Sequence, residues 1–230
     1  MCANFQRTLA TAVWSRNPGP MPRKKRDALP GLFHIGTHSV WTSVLFKDEI
    51  DRMLFVTELA KTLSRLGWTC MCVTLLNTHY HLLVETSDTS LSIGMKHLNA
   101  SHATRFNARH RLSGHVVDGR FWSERIETEG YLLSTFRYIA RNACEAGLCD
   151  SPEEWPWCSY RALVEPTENF TFVDVSRVLD CFGPGNDGIE QLRRFVELPQ
   201  VTDPWVRPGS DPGVGFGPER RAGIRAPLDE

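Results

Sequence analysis

Residues 73–84, VTLLNTHYHLLV, consist of two apolar runs on either side of a short polar pair. Apolar runs of this length that are separated by turn-forming residues are typical of a β-hairpin. The second run carries His79 and His81, and alternate side chains of a strand lie on one face of the sheet. The sequence therefore predicts a hairpin that holds two imidazoles side by side, with Tyr80 on the opposite face toward a core.

The spacing of apolar residues outside the hairpin predicts the other elements. Recurrence every three or four residues indicates amphipathic helices, and Gly67 is a typical helix end. We expect strands over 32–38, 68–76 and 79–85, helices over 48–66 and 90–110, extended pieces over 114–126, and a further helix that begins at Thr128 or Glu129. The order strand, helix, two strands, helix is typical of an α+β sandwich whose antiparallel sheet is covered by helices on one face.

The chain has 230 residues, of which 41% are hydrophobic and 23% charged, and this is sufficient for one sizeable domain with tails. Residues 1–30 are polar and contain the basic run RKKR at 23–26, so we expect a flexible basic arm there. The domain itself is expected over 31–165. Residues 166–230 are expected to form a partly disordered appendage, because the stretch from 203 onward is rich in Gly, Pro and Arg.

Seven cysteines are present, without CxxC spacing and without the apolar N-terminal segment of a secretory signal. Reduced thiols of a cytoplasmic protein explain this pattern better than a disulfide framework or a zinc ribbon. No run of about 18 apolar residues occurs, so the sequence predicts neither a transmembrane helix nor a membrane partner.

The formal net charge is −1, but the basic residues are concentrated between residues 94 and 126. That segment holds six Lys or Arg and two acidic residues, which gives a local charge of roughly +4. A basic stripe is an electrostatic footprint for a polynucleotide, although a solvated helix face explains the same residues equally well. The candidate phosphate contacts are Lys96, Arg105, Arg109, Arg120 and Arg125, and the candidate base-stacking residues are Phe121 and Trp122.

Tyr138 and Asn142 are one helical turn apart in the third predicted helix and share a face. Two imidazoles and an amide oxygen form a mixed set of ligands that Mg²⁺ or Mn²⁺ accepts, and a phenol beside such an ion can attack a phosphodiester. The sequence therefore favours His79, His81 and Asn142 as metal ligands. It favours Tyr138 as a nucleophile that forms a covalent 5′-phosphotyrosine.

Each of these residues also has a purely structural interpretation. A His-x-His pair on a strand is often incidental, and Tyr138 suits a core position where its hydroxyl finds a partner. Asn142 suits a helix C-terminus, where its side chain can satisfy free carbonyl groups. Tyr131 lies seven residues before Tyr138 on the same stripe, so periodicity alone does not separate the two tyrosines.

Longer stretches of the chain resemble a known family. Residues 75–85, LLNTHYHLLVE, are similar to the LMPNHYHLLVE stretch of REP-associated tyrosine transposases, within the HUH single-tyrosine superfamily. The similarity continues through a helix, an Arg-Phe element, a YL…YI…N segment and a closing Trp-Ser stretch. It covers residues 32–163.

This resemblance implies a ferredoxin-like (RRM-like) fold, a divalent metal, and single-stranded DNA with hairpin ends as the partner. By position, His79 and His81 match the paired histidines of the family, and Asn142 matches the third metal ligand. Tyr138 matches the nucleophile, whereas Tyr131 matches a tyrosine without that role. Members of the family act as monomers or dimers, so the resemblance leaves monomer and homodimer open.

Two departures from the family pattern affect the surroundings of the site. Asn77-Thr78 replaces the usual Pro-Asn before His79, and Ala143 replaces the proline after Asn142. Neither change removes a catalytic group, but small shifts of the strand start or the helix end matter for metal geometry. The predicted function is that of a DNA transposase of a mobile genetic element. A domesticated hairpin-binding protein and a structural zinc protein are the alternatives.

Overall fold

The computed structural model describes residues 29–40, 43–164 and 168–197, and four strands within them form one antiparallel sheet. The strands are β1 (Gly31–His38), β2 (Thr69–Leu75), β3 (His79–Thr86) and β4 (Trp122–Ile126). Their order across the sheet is β2-β3-β1-β4, with β1 and β3 in the centre. One helix connects β1 to β2 and another connects β3 to β4, which gives the topology of a ferredoxin-like fold. The predicted α+β fold is confirmed.

Three long helices accompany the sheet, and they are α1 (Glu49–Leu66), α2 (Leu91–His110) and α3 (Glu129–Glu145). Local capping residues explain why α1 and α3 begin where the sequence predicts. The Asp48 side chain accepts a hydrogen bond from the backbone N–H of Asp51, and Gly67 ends α1 with a φ of 62°. The Thr128 side chain accepts a hydrogen bond from the backbone N–H of Tyr131 and fixes the start of α3.

Helices cover both faces of the sheet, so the expectation of a single covered face is wrong. α1 and α2 pack on one face against a core that includes Phe33, Tyr80 and Leu82. α3 packs on the other face against Leu32 and Leu83. Because the central strands carry apolar residues on both sides, an uncovered face would expose large hydrophobic side chains to water.

A bulge in β2 changes the direction in which its cysteines point. The pairing with β3 shifts between Cys70 and Cys72, so Met71 is an extra residue in this strand. Cys70 consequently joins the core beneath α1 and α2, while Met71 and Cys72 join the core beneath α3. Strict alternation along β2 would have placed both cysteines on one face.

The turn between β2 and β3 is anchored by α1. Arg52 donates a hydrogen bond to the Asn77 side chain, and the Asn77 carbonyl accepts one from the backbone N–H of Leu45 at 2.8 Å. The buried Arg52 guanidinium lies over the rings of Trp155 and Trp157, with its carbon 5.9 and 5.8 Å from their centroids. Asn77 stands where the resembling family has proline, and its side chain holds the start of β3 through this contact.

The outer edge of β2 is covered by the chain that follows α3. The backbone N–H of Leu75 donates to the Trp157 carbonyl at 2.9 Å, and the backbone N–H of Ser159 donates to the Val73 carbonyl at 2.9 Å. The Trp155 indole donates to the Leu75 carbonyl at 3.1 Å. These bonds satisfy backbone groups that an open edge strand would offer to another chain.

The residues after 160 form short helices that close the α3 side, and these are α4 (Arg161–Val164), α5 (Ser176–Leu179) and α6 (Gly185–Glu197). Val178, Leu192 and Val196 belong to the core beneath α3. Arg141 of α3 donates a hydrogen bond to the Val196 carbonyl at 3.0 Å. The described part of the predicted appendage is therefore packed on α3.

Two expectations concern segments outside the described residues. The basic run at 23–26 and the Gly-, Pro- and Arg-rich stretch from 203 onward both lie there. Within the described part of the chain, no helix has the length and apolar character that crossing a bilayer requires.

A row of residues from three strands crosses the α3 face of the sheet. Gly36 of β1 pairs with His81 of β3 on one side and with Trp122 of β4 on the other. The Trp122 ring lies over Gly36, because a Cβ on Gly36 would come within 2.3 to 2.4 Å of three indole atoms. Gly36 therefore gives the indole the space to lie beside His81.

We expect Gly36→Ala to lower the free energy of unfolding by about 1–3 kcal/mol, because the added methyl group must displace the Trp122 ring in a packed region. Chemical denaturation measures the change. Gly130→Ala is the matched control, since a Cβ on Gly130 meets nothing within 4 Å. This control should leave stability unchanged or raise it by up to about 1 kcal/mol. The steric explanation fails if Trp122→Ala does not reduce the cost of Gly36→Ala in the double variant.

Candidate active site

His79 and His81 lie on β3 with their rings on the α3 face of the sheet. Their ring centroids are 5.2 Å apart, and the ring planes are nearly perpendicular at 84°. His81 is fully buried, whereas His79 is half-buried at the end of the strand. The hairpin thus presents two imidazoles to a common space beside α3.

Asn142 of α3 faces His79 across this space. Its Oδ1 atom is 3.1 Å from Nε2 of His79, and the residue is only 7% exposed. The contact restrains the His79 ring and brings an amide oxygen beside its Nε2 atom. α3 continues past Ala143, which replaces the family's proline, to Glu145. The Asn142 backbone carbonyl keeps its helical partner, the N–H of Ala146, at 3.0 Å.

Tyr138 lies one turn before Asn142 on α3, and its ring reaches the histidines. The ring centroid is 5.3 Å from that of His81 and 5.7 Å from that of His34, with edge-on geometry in both pairs. Tyr131 lies two turns earlier, beside the core beneath α3. The Tyr138 ring therefore lies beside His81 and His34 on this face of the sheet.

Two other tyrosines occupy surroundings that do not suit a nucleophile. Tyr80 points to the opposite face of the sheet, where its hydroxyl accepts a hydrogen bond from Thr37 at 2.9 Å and donates one to Asn99 at 2.5 Å. Burial raises the pKa of Tyr80, and burial also raises the pKa of Tyr160. A phenol with a raised pKa is a poorer source of the attacking phenolate.

β1 adds two histidines to this face that the sequence alone did not single out. The Nε2 atom of His34 is 3.1 Å from Nδ1 of His81, and the His38 ring stacks on that of His79 with centroids 5.0 Å apart. His34, Gly36 and His38 alternate along β1, and this period of two is the signal that could have indicated them. The signal is incomplete because the register between strands separated by a helix cannot be read from a sequence.

Trp122, a predicted base-stacking residue, lies on the same face. Its ring is 4.6 Å from that of His34 and 5.8 Å from that of His81, between centroids. The half-buried indole gives one side of the site an aromatic wall. Its nitrogen is buried, and no hydrogen-bond partner for it occurs among the described residues. The exposed part of an indole in this position can contact a base.

Two of the candidate phosphate contacts bind carboxylates of α1 instead. Nη2 of Arg105 is 2.7 Å from Oε2 of Glu58, and Nη2 of Arg109 is 3.0 Å from Oδ2 of Asp48. These ion pairs join α2 to α1 and neutralise part of the basic stripe. Arg105 and Arg109 therefore have structural partners that account for their presence without DNA.

The remaining candidates differ in their access to the site. Arg125 donates a hydrogen bond to the Pro30 carbonyl at 2.6 Å, and Phe121 is buried in the core beneath α1 and α2, where no base can reach its ring. Lys96 and Arg120 are exposed. Arg120 lies in the segment that enters β4, two residues before Trp122, whereas Lys96 lies on α2 on the opposite side of the sheet.

A second group with metal-ligating residue types lies at the start of α1. One side-chain atom from each of Asp48, Asp51 and His110 lies within 4.8 Å of the others. The Arg109 guanidinium contacts both carboxylates and already supplies positive charge there. Its hydrogen bond lowers the pKa of Asp48 to about 2. These groups therefore form an ion-pair network that joins the ends of α1 and α2.

His79, His81 and Asn142 supply donor atoms of the kinds that a divalent ion accepts. Six-coordinate ligands about 2.1 Å from Mg²⁺ lie roughly 3.0 Å from their neighbours. His79 Nε2 and Asn142 Oδ1 are 3.1 Å apart as hydrogen-bond partners, so a bound ion would replace this hydrogen bond and contact both atoms. His81 uses Nδ1 in its contact with His34, so Nε2 is the nitrogen that would bind an ion. Nitrogen and oxygen ligands in this proportion suit Mn²⁺ as well as Mg²⁺.

No protein-family model matches the chain, and no curated protein matches it. Among solved structures, the fold is similar to that of a REP-associated tyrosine transposase bound to a REP hairpin, with a TM-score of 0.55 and 14% sequence identity. The similarity covers 67% of this chain and 98% of the other. The chain thus has the fold of a REP-associated tyrosine transposase, as the resemblance over residues 32–163 predicts.

Proposed function

We propose that this chain is a metal-dependent DNA transposase that cleaves and rejoins single-stranded hairpin DNA through Tyr138. The observation that carries the proposal is the meeting of His79, His81, Tyr138 and Asn142 on the α3 face of the sheet. Attack of a phenol on a phosphodiester requires a phenol and a metal ion, and these residues supply the phenol and the ligands for the ion. Their convergence from two separate parts of the chain is what the fold adds to the sequence.

In the proposed reaction Tyr138 supplies the attacking oxygen. The phenol loses its proton, and its oxygen forms a bond to phosphorus while the bond from phosphorus to the 3′ oxygen breaks. The departing 3′ oxygen takes up a proton, and the 5′ phosphate stays on the tyrosine as an ester. Since one phosphate ester replaces another, a free 3′ hydroxyl can reverse the step and join strands without an external source of energy.

The ligand residues hold the geometry of this reaction. A divalent ion at His79, His81 and Asn142 would supply positive charge to the scissile phosphate and to the leaving oxygen. Thr78 Oγ1 lies 3.1 Å from His79 Nδ1 and would restrain the His79 ring while Nε2 binds the ion. The buried His81 ring is enclosed by Trp122 and Tyr138, which keeps water away from one side of the site.

Hairpin DNA is the proposed substrate for two reasons. The solved transposase of similar fold is bound to a REP hairpin, and this supports a folded single strand as the ligand of the present chain. Trp122 begins β4 and the exposed Arg120 lies two residues before it, so an aromatic ring and a guanidinium are available to contact a base and a phosphate. Arg120 is therefore the favoured phosphate contact among the basic candidates.

A single chain contains all four groups of the site, which supports a monomer that is complete by itself. A homodimer of such chains is equally compatible with the proposal. The cytoplasmic location stays a prediction from the cysteine pattern.

We expect Tyr138→Phe to abolish the covalent adduct with labelled foldback DNA in Mn²⁺, because the substitution removes the attacking oxygen. Hairpin affinity should not change. Denaturing gels measure the adduct, and Tyr131→Phe is the matched control that should still form it. An adduct with Tyr138→Phe would place the nucleophile elsewhere. Wild-type protein that binds the hairpin without ever forming an adduct would favour the domesticated binding protein.

Removal of divalent ions with EDTA should stop adduct formation and leave hairpin binding intact, and added Mn²⁺ should restore the adduct. His79→Ala should lose the adduct under the same conditions, because it removes a ligand. His97→Ala is the control, since His97 lies on α2 and contacts Glu58 at 3.0 Å. Persistent adduct formation in EDTA would contradict a role for the metal.

Arg120→Ala should weaken hairpin binding and reduce the slope of log K against log salt concentration by about 1, as expected for one lost phosphate contact. Lys96→Ala removes the same charge on the other side of the sheet and should leave the slope unchanged. Affinity titrations over a range of salt concentrations measure both. Equal effects of the two substitutions would mean that only overall charge, and no local contact, matters.

A further inference from the structure

The contact between His34 and His81 joins a residue of unassigned role to a ligand of the proposed metal. Nε2 of His34 is 3.1 Å from Nδ1 of His81, and both side chains are buried, with exposures of 7% and 0%. The two residues are not directly opposite, because His34 pairs with Leu83 and His81 pairs with Gly36. The Trp122 indole fills the space over Gly36 and contacts both imidazole rings.

Metal binding fixes which nitrogen of His81 carries the proton. A histidine that binds a metal through Nε2 must have that nitrogen unprotonated, so its proton is on Nδ1. The Nδ1–H then donates to the atom beside it, which is Nε2 of His34. A ligand histidine whose other N–H is held in this way keeps one tautomer and one ring orientation, and its basicity toward the metal increases.

We propose that His34 is a positioning residue for the metal site, which accepts the Nδ1–H of His81 and so presents His81 Nε2 to the ion. The inference rests on the proposed function, because it takes His81 as a metal ligand. His34 touches neither the ion nor the scissile phosphate in this role. It acts through His81.

The surroundings of His34 restrain its own ring, which a positioning residue needs. The Trp122 ring lies edge-on to it with centroids 4.6 Å apart, and the Tyr138 ring lies edge-on at 5.7 Å. His34 is therefore enclosed between a wall of the site and the nucleophile. Since a supporting group must be held within fractions of an ångström to be effective, this enclosure favours a functional role over a chance contact.

The competing explanation is that His34 only fills space beneath α3. In that case, any apolar residue of similar size should serve as well or better, since it removes a buried polar group. His34→Leu and His34→Phe both remove the acceptor and keep bulk at this position. His34→Gln keeps an acceptor, because its amide oxygen can lie near the place of Nε2.

The experiment measures Mn²⁺ affinity of the full chain without DNA by electron paramagnetic resonance. We expect the dissociation constant to rise about 10- to 100-fold in His34→Leu or His34→Phe, the usual effect of removing such a partner, and to stay near the wild-type value in His34→Gln. Far-UV circular dichroism and thermal unfolding establish which variants fold. If only one acceptor-free variant folds, that variant decides the test.

Unchanged Mn²⁺ affinity in a folded acceptor-free variant would overturn the inference, as would wild-type protein that binds no Mn²⁺. The adduct assay separates this outcome from a failure of the proposed function. If the wild-type protein forms the adduct and the His34 variants bind Mn²⁺ as tightly as the wild type, the role of His34 is wrong and the transposase proposal stands. If Mn²⁺ affinity depends on His34 but the protein forms no adduct, the role of His34 stands and the proposed strand transfer is wrong.

Discussion

The antiparallel pairing of β1 with β3 is the constraint on which the candidate site depends. Each strand carries two histidines, and their register places all four on the face that α3 covers. A slip by one residue would turn one pair of imidazoles into the core beneath α1 and α2. Apolar side chains such as Phe33 and Leu82 hold the register, because they must stay in that core. Burial of apolar side chains on one face therefore fixes the register that places the four histidines on the other face.

The second apolar face of the sheet positions Tyr138, the proposed nucleophile. Leu132, Phe136 and Ile139 bury one side of α3 against it, and this orientation turns Tyr138 and Asn142 toward the histidines. The helices after residue 160 pack against α3, and Arg141 of α3 donates a hydrogen bond to the last of them. The site thus lies at the border of a packed core, where water is partly excluded and electrostatic interactions are stronger than in bulk solvent.

The basic stripe shows that a local charge pattern does not reveal the partners of its charges. Arg105 and Arg109 belong to it in sequence, yet α1 supplies carboxylates that neutralise them. Phe121 belongs to the aromatic pair beside the stripe, yet its ring is part of the core. Only contacts between α1 and α2 reveal this, since the acidic partners lie some fifty residues earlier in the chain. Arg120 and Trp122 keep a position from which nucleic acid can be reached.

The sequence by itself determined the strands and the three long helices, because strand alternation, helical spacing and caps such as Asp48 and Gly67 are local properties. It did not predict α5 and α6, which lie in the segment expected to be a partly disordered appendage. The sequence also paired His79 with His81 and Tyr138 with Asn142, since the spacing within each pair fixes a shared face, and the family resemblance joined the two pairs and separated Tyr138 from Tyr131. Only the tertiary structure decided that α3 covers the second face, that a bulge separates Cys70 from Cys72, and that His34 and His38 join the site. Those features depend on which strands pair and in what register. Burial across the whole sheet selects the register, so the register cannot be read from the spacing of residues within one segment.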